Sequence, residues 1–155
     1  NLYGKVAYPK KHSPANIPSL YRWAASRGGI FVNPALTEPF GLTLLEASSC
    51  GLPIIATDDG GPKEIHAKCQ NGLLVNVTDT NQLKIAIEKG ISNSSQWKLW
   101  SRNGIEGVHR HFSWNTHVRN YLSILKSHYQ KSTIVSSSGI KESCLKGSSS
   151  LIKPH

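Results

Sequence analysis

Two glutamates with seven residues between them, Glu38 and Glu46, are the side chains of this sequence best suited to chemistry. They flank the run Pro-Phe-Gly-Leu-Thr-Leu-Leu, which follows a short apolar segment. Each carboxylate offers two acceptor oxygens, which is what the vicinal hydroxyls of a sugar require. We predict that Glu38 lies in a loop and that Glu46 lies about one turn inside the helix that follows.

The stretch between the two glutamates is expected to bind an anion. Gly41 lies where the helix should begin, so the backbone amides of Phe40, Gly41 and Leu42 are predicted to lack acceptors. Such amides suit a diphosphate, and a glycine lets the ligand approach the backbone. A carboxylate at each end of this helix start predicts a nucleotide sugar, with hexose hydroxyls at one glutamate and ribose hydroxyls at the other. The alternative is that the carboxylates only complement the helix dipole, an effect of about 0.3–1 kcal/mol.

The elements that must position these residues are short apolar segments alternating with helical patterns. Strands are predicted at residues 6–8, 30–32, 53–57 and 73–76. Helices are predicted from Ile17, within residues 40–49, from Pro62, after a capping box of Asp79 with Gln82, and after Ser113. This order predicts an α/β fold with a parallel, Rossmann-like sheet that binds its ligand at the carboxyl ends of the strands. A complete sheet of this kind has about five or six strands, so this one is expected to be incomplete at its N-terminal side.

Composition excludes several classes of protein. The net charge of +9 suits phosphate-bearing partners, but the basic residues are scattered, so nucleic-acid binding is not predicted. No apolar run is long enough to cross a bilayer, so no membrane partner is predicted. No cluster has the ligands of a metal site, so no metal is predicted. The three cysteines form no Cys-x-x-Cys pair, and we expect a reducing, cytoplasmic location.

The chain is predicted to have two parts, a partial nucleotide-sugar-binding domain at residues 1–130 and a flexible tail at residues 131–155. The tail holds eight serines and no sustained apolar period, so it cannot bury enough surface to offset its ordering entropy. The chain also begins with Asn1 and contains no Met. We therefore expect it to be a piece of a longer protein.

Several motifs resemble those of a known enzyme family. The run from Glu38 to Ala47, with Gly51-Leu52-Pro53 and Gly60-Gly61-Pro62, is similar to the Glu-x7-Glu signature of retaining nucleotide-sugar glycosyltransferases, whose two Rossmann-like domains form the GT-B architecture. Within that group the chain resembles the sucrose-phosphate synthase family of plants. The motifs that carry this closer resemblance are Tyr8-Pro9-Lys10, Ile17-Pro18-Ser19-Leu20-Tyr21-Arg22, Asn33-Pro34-Ala35, Asn71-Gly72-Leu73-Leu74-Val75 and His111-Phe112-Ser113-Trp114. The resemblance covers residues 5–125 and implies the C-terminal, donor-binding half of a GT-B enzyme.

The resemblance also implies a reaction and a role for each site residue. Glucose passes from UDP-glucose to fructose 6-phosphate with retention, giving sucrose 6-phosphate and UDP, and no cofactor is required. Glu38 is implied to be the catalytic residue that holds glucose, and Glu46 the residue that holds the uridine ribose. The implied donor-binding set is Glu38, Phe40, Gly41, Leu42, Thr43 and Glu46. The family's acceptor domain, which binds fructose 6-phosphate, and its Arg-x4-Lys pair, which neutralises the diphosphate, are not among these 155 residues.

Other interpretations remain open. The chain could belong to sucrose synthase or another retaining glycosyltransferase of the same architecture. It could also be a non-catalytic, truncated remnant that binds a nucleotide sugar, which the missing Arg-x4-Lys pair and the Ser-rich tail favour for the chain in isolation. The Gly60-Gly61 pair is expected either beside the ligand or in a tight turn between a strand and a helix.

Overall fold

The computed structural model describes residues 4–7, 11 and 13–145, with residues 130–145 as backbone alone. The chain falls into two compact units, and the boundary lies between Ser113 and Trp114. The first unit contains the parallel sheet and the helices that surround the predicted site. The second unit is helical in its described part.

The sheet of the first unit has three described strands, β1 (Phe31–Asn33), β2 (Ile54–Thr57) and β3 (Gly72–Val75), in that order. Both neighbouring pairs are parallel, and the first residues of the three strands are aligned with one another. All four residues of β2 are buried, as expected for a central parallel strand covered on both faces. The predicted α/β class and parallel sheet are confirmed, and these three strands lie within one residue of their predicted limits.

Helices precede, connect and follow the strands of the first unit. They are α1 (Ile17–Ser26) after a 3-10 turn at Pro14–Asn16, α2 (Leu42–Ser49), α3 (Pro62–Cys69), α4 (Thr80–Ser92) and α5 (Ser94–Phe112). The Asp79 carboxylate accepts from the amides of Asn81 at 2.9 Å and Gln82 at 3.1 Å, so it caps α4. The side chain of Gln82 donates to the same carboxylate at 3.0 Å. The predicted pairing of Asp79 with Gln82 at a helix start is therefore confirmed.

The core of this unit lies between the sheet and the helices α2 and α3. Its buried cluster contains Leu44 of α2, Ile54 and Ala56 of β2, and Ile65 and Cys69 of α3. Because Leu44 faces this core, the face of α2 that contains Thr43 and Glu46 is exposed. The hydrophobic packing of α2 therefore determines which of its side chains can meet a ligand.

The predicted first strand is not found. Val6 and Ala7 are outside any strand, and Tyr8 lies outside the described residues. Val6 is 63% exposed, so the segment lacks the packing that holds a strand in a sheet. The prediction of four visible strands is therefore wrong for the described part of the chain, which has three.

The described part of the second unit is one helix, α6 (Trp114–Leu145), which begins directly after Ser113 as predicted. The helix continues past residue 130, where the flexible tail is predicted to start, so residues 131–145 have helical backbone. No proline occurs between Trp114 and Leu145, so no residue there blocks the backbone hydrogen bonds of a helix. A serine-rich composition argues against a packed core, and it does not forbid a helical backbone. Residues 146–155 lie outside the described residues.

Candidate functional site

The start of α2 depends on a glycine in the left-handed region. Gly41 has a φ of +75°, and a Cβ added there would lie 2.7 Å from Cδ1 of Ile65 and 3.2 Å from Cδ1 of Leu44. A residue with a side chain would be strained by the backbone angle and would also overlap the core. From the sequence, Gly41 is expected to give a ligand access to the backbone. In the structure its lack of a side chain serves packing against α3.

The carboxylate of Glu38 occupies the helix start itself. Its Oε1 accepts from the amide of Gly41 at 3.0 Å and from that of Phe40 at 3.4 Å. Its Oε2 accepts from the side-chain amide of Asn33 at 3.1 Å. The prediction that the amides of Phe40 and Gly41 lack an acceptor is therefore wrong, because Glu38 supplies one.

The next two amides of the helix start are those of Leu42 and Thr43. The first hydrogen bond of the α2 ladder runs from the amide of Leu45 to the carbonyl of Gly41 at 3.1 Å. The amides of Leu42 and Thr43 precede it, so they have no acceptor within the helix. Both residues are exposed. The helix start thus offers these two donors, with the positive end of the helix dipole behind them.

The backbone of Glu38 is held by the loop that follows β2. The amide of Gly61 donates to the Glu38 carbonyl at 2.8 Å, and Glu38 forms an isolated parallel bridge with Gly60. Nearby, the Thr37 hydroxyl donates to the Asp59 carboxylate at 2.9 Å. The Gly60-Gly61 pair therefore packs against the Glu38 loop and leads directly into α3.

Hydrogen bonds also set the protonation of this carboxylate. Donation from the Gly41 amide is the main cause that lowers the pKa of Glu38 below its ordinary value, and partial burial opposes it. The pKa of Asp79 is lowered in the same way, chiefly by the amide of Gln82. Both groups are carboxylates at helix starts, where negative charge is favoured.

These two lowered pKa values predict acid sensitivity. Because each folded pKa lies below the unfolded value, each contribution to stability is complete above the ordinary carboxyl pKa of about 4 and is lost as the pH falls through the folded pKa. We expect the Tm of the chain to fall when the pH is lowered from about 7 to about 3. Glu38→Gln and Asp79→Asn should each have a lower Tm than the unmodified chain at about pH 7, and their Tm should fall less on acidification.

Thermal unfolding followed by circular dichroism at a series of pH values measures this effect. Glu88→Gln is the control, because Glu88 has a side chain that is 61% exposed on α4 and caps no helix. The interpretation is contradicted if Glu38→Gln and Asp79→Asn lose as much Tm on acidification as the unmodified chain does.

A pocket of about 350 Å³ lies beside α2, on the face that contains Glu46. Its walls are formed by Pro14, Ile17, Pro18, Tyr21, Arg22, Glu46, Ser49 and Cys50. Burial, followed by the negative charge of Glu46, raises the pKa of the Tyr21 hydroxyl. The Tyr21 ring packs edge-on against Phe31, with 5.5 Å between ring centroids, so this wall of the pocket is anchored to β1.

The two glutamates occupy different places along α2. Glu46 lies four residues, or about 6 Å along the axis, after Leu42 at the helix start. Glu46 is on the wall of the pocket, whereas Glu38 lies at the helix start and is not among the lining residues. That both carboxylates contact one ligand therefore stays a prediction.

The α1 wall of this pocket is not part of the site predicted from the sequence. Ile17 and Tyr21 are four residues apart and both half-buried, whereas Leu20, between them in sequence, is 45% exposed. The apolar face of α1 is therefore narrower than its sequence suggests. The spacing of Ile17 and Tyr21 is the signal that could have identified this wall. The spacing does not show that α2 forms the opposite wall of the pocket.

Within residues 4–7, 11 and 13–145, no group of three or more His, Cys, Asp or Glu side chains could hold a metal ion. None of the helices in the described chain is long and apolar enough to cross a membrane.

The fold and the helix-start site define a class of protein. The profile of the family described as "Glycosyl transferases group 1" matches residues 1–107, and the chain therefore belongs to this family. The C-terminal domain of a glycosyl transferase group 1 family protein from Francisella tularensis is structurally similar, with a TM-score of 0.58 and 28% identity. The match covers 70% of this chain and 53% of that one.

Within this family the chain is similar to sucrose-phosphate synthases, as its motifs predict. It is 50% identical over 123 residues to sucrose-phosphate synthase 4 of Arabidopsis thaliana, and 48% identical over 123 residues to sucrose-phosphate synthase of Zea mays. Each match covers 79% of this chain but only 12% and 11% of the two plant enzymes. The sucrose-phosphate synthase of Thermosynechococcus elongatus shares the fold, with a TM-score of 0.58 and 24% identity over 81% of this chain and 37% of that one.

Proposed function

We propose that the chain is the segment of a sucrose-phosphate synthase that binds the nucleotide-sugar donor. The observation that carries this proposal is the pocket beside α2, whose wall contains Glu46 one helical turn from the amides at the helix start. A nucleotide sugar needs a cavity for its nucleoside, donors for its diphosphate and acceptors for its sugar hydroxyls. All three features lie on α2 or directly beside it. The identity to plant sucrose-phosphate synthases supports UDP-glucose as the donor.

Uridine is proposed to occupy the pocket. Ile17, Pro18 and Tyr21 offer apolar and aromatic surface on which a base can pack. The Glu46 carboxylate is exposed on the same wall and can accept from the ribose hydroxyls. The volume of about 350 Å³ is sufficient for a nucleoside, since small-molecule sites begin at about 300 Å³.

The diphosphate and the glucose are proposed to lie at the helix start. The amides of Leu42 and Thr43 donate to the diphosphate, and the helix dipole favours its charge. Glu38 faces the glucose. Its two oxygens have about four acceptor positions, of which three are used by Gly41, Phe40 and Asn33, so one position on Oε2 remains for a glucose hydroxyl.

In the proposed reaction the bond between glucose C1 and the diphosphate breaks, C1 bonds with retention to a hydroxyl oxygen of fructose 6-phosphate, and the proton of that hydroxyl passes to the departing diphosphate. Negative charge develops on the departing UDP, and the helix-start amides are placed to stabilise it. The acceptor site and further positive charge are proposed to come from parts of the enzyme outside these 155 residues. We also propose that the enzyme acts in the cytoplasm.

Two substitutions test the assignment of the glutamates. Glu46→Gln should weaken binding of both UDP and UDP-glucose by about tenfold, because both ligands contain the ribose and a neutral amide is a weaker acceptor. Glu38→Gln should weaken binding of UDP-glucose only, because UDP has no hexose. Isothermal titration calorimetry of the 155-residue chain with each ligand measures both effects.

Glu88→Gln on α4 is the matched control, since this exposed glutamate is not among the pocket residues. It should bind both ligands as the unmodified chain does. The proposed function fails if the unmodified chain binds neither ligand. It also fails if Glu46→Gln binds both with unchanged affinity.

A further inference from the structure

Asn33, the last residue of β1, holds its side-chain amide in one orientation. The amide of Ala35 donates at 3.1 Å to Oδ1 of Asn33, which must therefore be the acceptor end of the side chain. The opposite end, Nδ2, donates to Oε2 of Glu38 at 3.1 Å. Asn33 is half-buried and pairs with Ala56 in the sheet. A rigid strand thus presents a fixed donor to Glu38.

Other hydrogen bonds of Glu38 hold its backbone and its Oε1, and Asn33 determines the direction of Oε2. The Glu38 carbonyl accepts from the Gly61 amide at 2.8 Å, which fixes the backbone. Oε1 accepts from the amides of Gly41 and Phe40, which fixes one end of the carboxylate. Oε2 accepts from Nδ2 of Asn33, and this contact sets the rotation of the carboxylate plane.

We propose that Asn33 is a positioning residue for the donor sugar, which holds Oε2 of Glu38 so that its remaining acceptor position faces one glucose hydroxyl. This inference rests on the proposed role of Glu38 in binding the hexose. This positioning role requires one rigid group that accepts from the Ala35 amide and donates to Glu38. The side-chain amide of asparagine provides both. A serine can supply the acceptor but is too short to reach Glu38.

The test is Asn33→Ser in the 155-residue chain, titrated separately with UDP-glucose and UDP. Because a hydrogen bond to a charged group is lost, UDP-glucose should bind about tenfold more weakly, while UDP binding stays unchanged. Asn33→Asp keeps the acceptor for Ala35 but places a second negative charge beside Glu38. It should therefore also weaken UDP-glucose binding relative to UDP binding. Asn76→Ser is the matched control, because the Asn76 side chain accepts from the Thr78 amide at 3.0 Å in an equivalent turn after β3.

A second measurement shows whether Asn33 acts through Glu38. When Glu38 is already glutamine, Asn33→Ser should change UDP-glucose affinity by less than about twofold. The inference is overturned if both Asn33 variants weaken UDP and UDP-glucose equally, which is the result expected of a merely structural residue. It is also overturned if UDP-glucose binds both variants as tightly as it binds the unmodified chain. An unmodified chain that binds neither ligand would instead refute the proposed function, and this inference with it.

Discussion

A protein made of these 155 residues is expected to bind UDP-glucose but to release no UDP when fructose 6-phosphate is added. The sequence contains no arginine followed five residues later by a lysine, the pair that the glycosyltransferase resemblance assigns to the leaving diphosphate. The amides of Leu42 and Thr43 supply part of the stabilisation, but they carry no full charge. Loss of one preorganised donor in such a site costs about 10²–10³ in rate.

The acceptor site, which we propose lies outside these residues, accounts for a larger expected loss. Holding two substrates in a reactive geometry contributes up to about 7–11 kcal/mol to catalysis. Together the two losses should place turnover below detection in a coupled assay for UDP. A titration of the same sample with UDP-glucose is the control, because it shows that the protein is folded and binds donor. Acceptor-dependent release of UDP by this chain would mean that the catalytic groups have been misassigned.

The second large effect is expected from Gly41→Ala, which should destabilise the chain much more than Gly28→Ala. The two glycines have nearly the same backbone angle, with φ of +75° and +70°. Alanine in this conformation costs about 1–2 kcal/mol. At Gly28 nothing lies within 4 Å of an added Cβ, whereas at Gly41 the Cβ would lie 2.7 Å from Ile65 Cδ1. Overpacking of a core adds about 1–3 kcal/mol.

Urea unfolding of the two variants measures the difference, and Gly28→Ala controls for the backbone term. We expect Gly28→Ala to lose only the free energy that the strained backbone angle costs. Gly41→Ala should lose this and also the cost of the overlap with Ile65. Gly41→Ala should also weaken UDP-glucose binding, because movement of the helix start displaces the amides of Leu42 and Thr43. Equal losses of unfolding free energy in the two variants would show that Ile65 moves aside without cost.

Local sequence patterns predict the elements around the site. The apolar run before Asp58, the proline at the first position of α3 and the Asp79–Gln82 pair each define an element within one residue of where the structure has it. These features depend on neighbours a few residues apart. The predicted strand at residues 6–8 is different, because a short apolar run forms a strand only where another strand pairs with it.

The sequence by itself determines that Glu38 and Glu46 flank a glycine at a helix start, because helix spacing and the backbone freedom of glycine are local properties. It also determines the parallel α/β order, since strands alternating with helices have few other ways to pack. The tertiary structure alone decides the rest. It directs the Glu38 carboxylate to the amides of Gly41 and Phe40 and to Asn33, and it brings α1 beside α2 to form the pocket at Glu46. The Glu38 contacts span only two, three and five residues, but they require the loop conformation that the Gly61 amide holds by donating to the Glu38 carbonyl. The pocket requires α1 to pack beside α2, and spacing along the chain does not fix that distance in space.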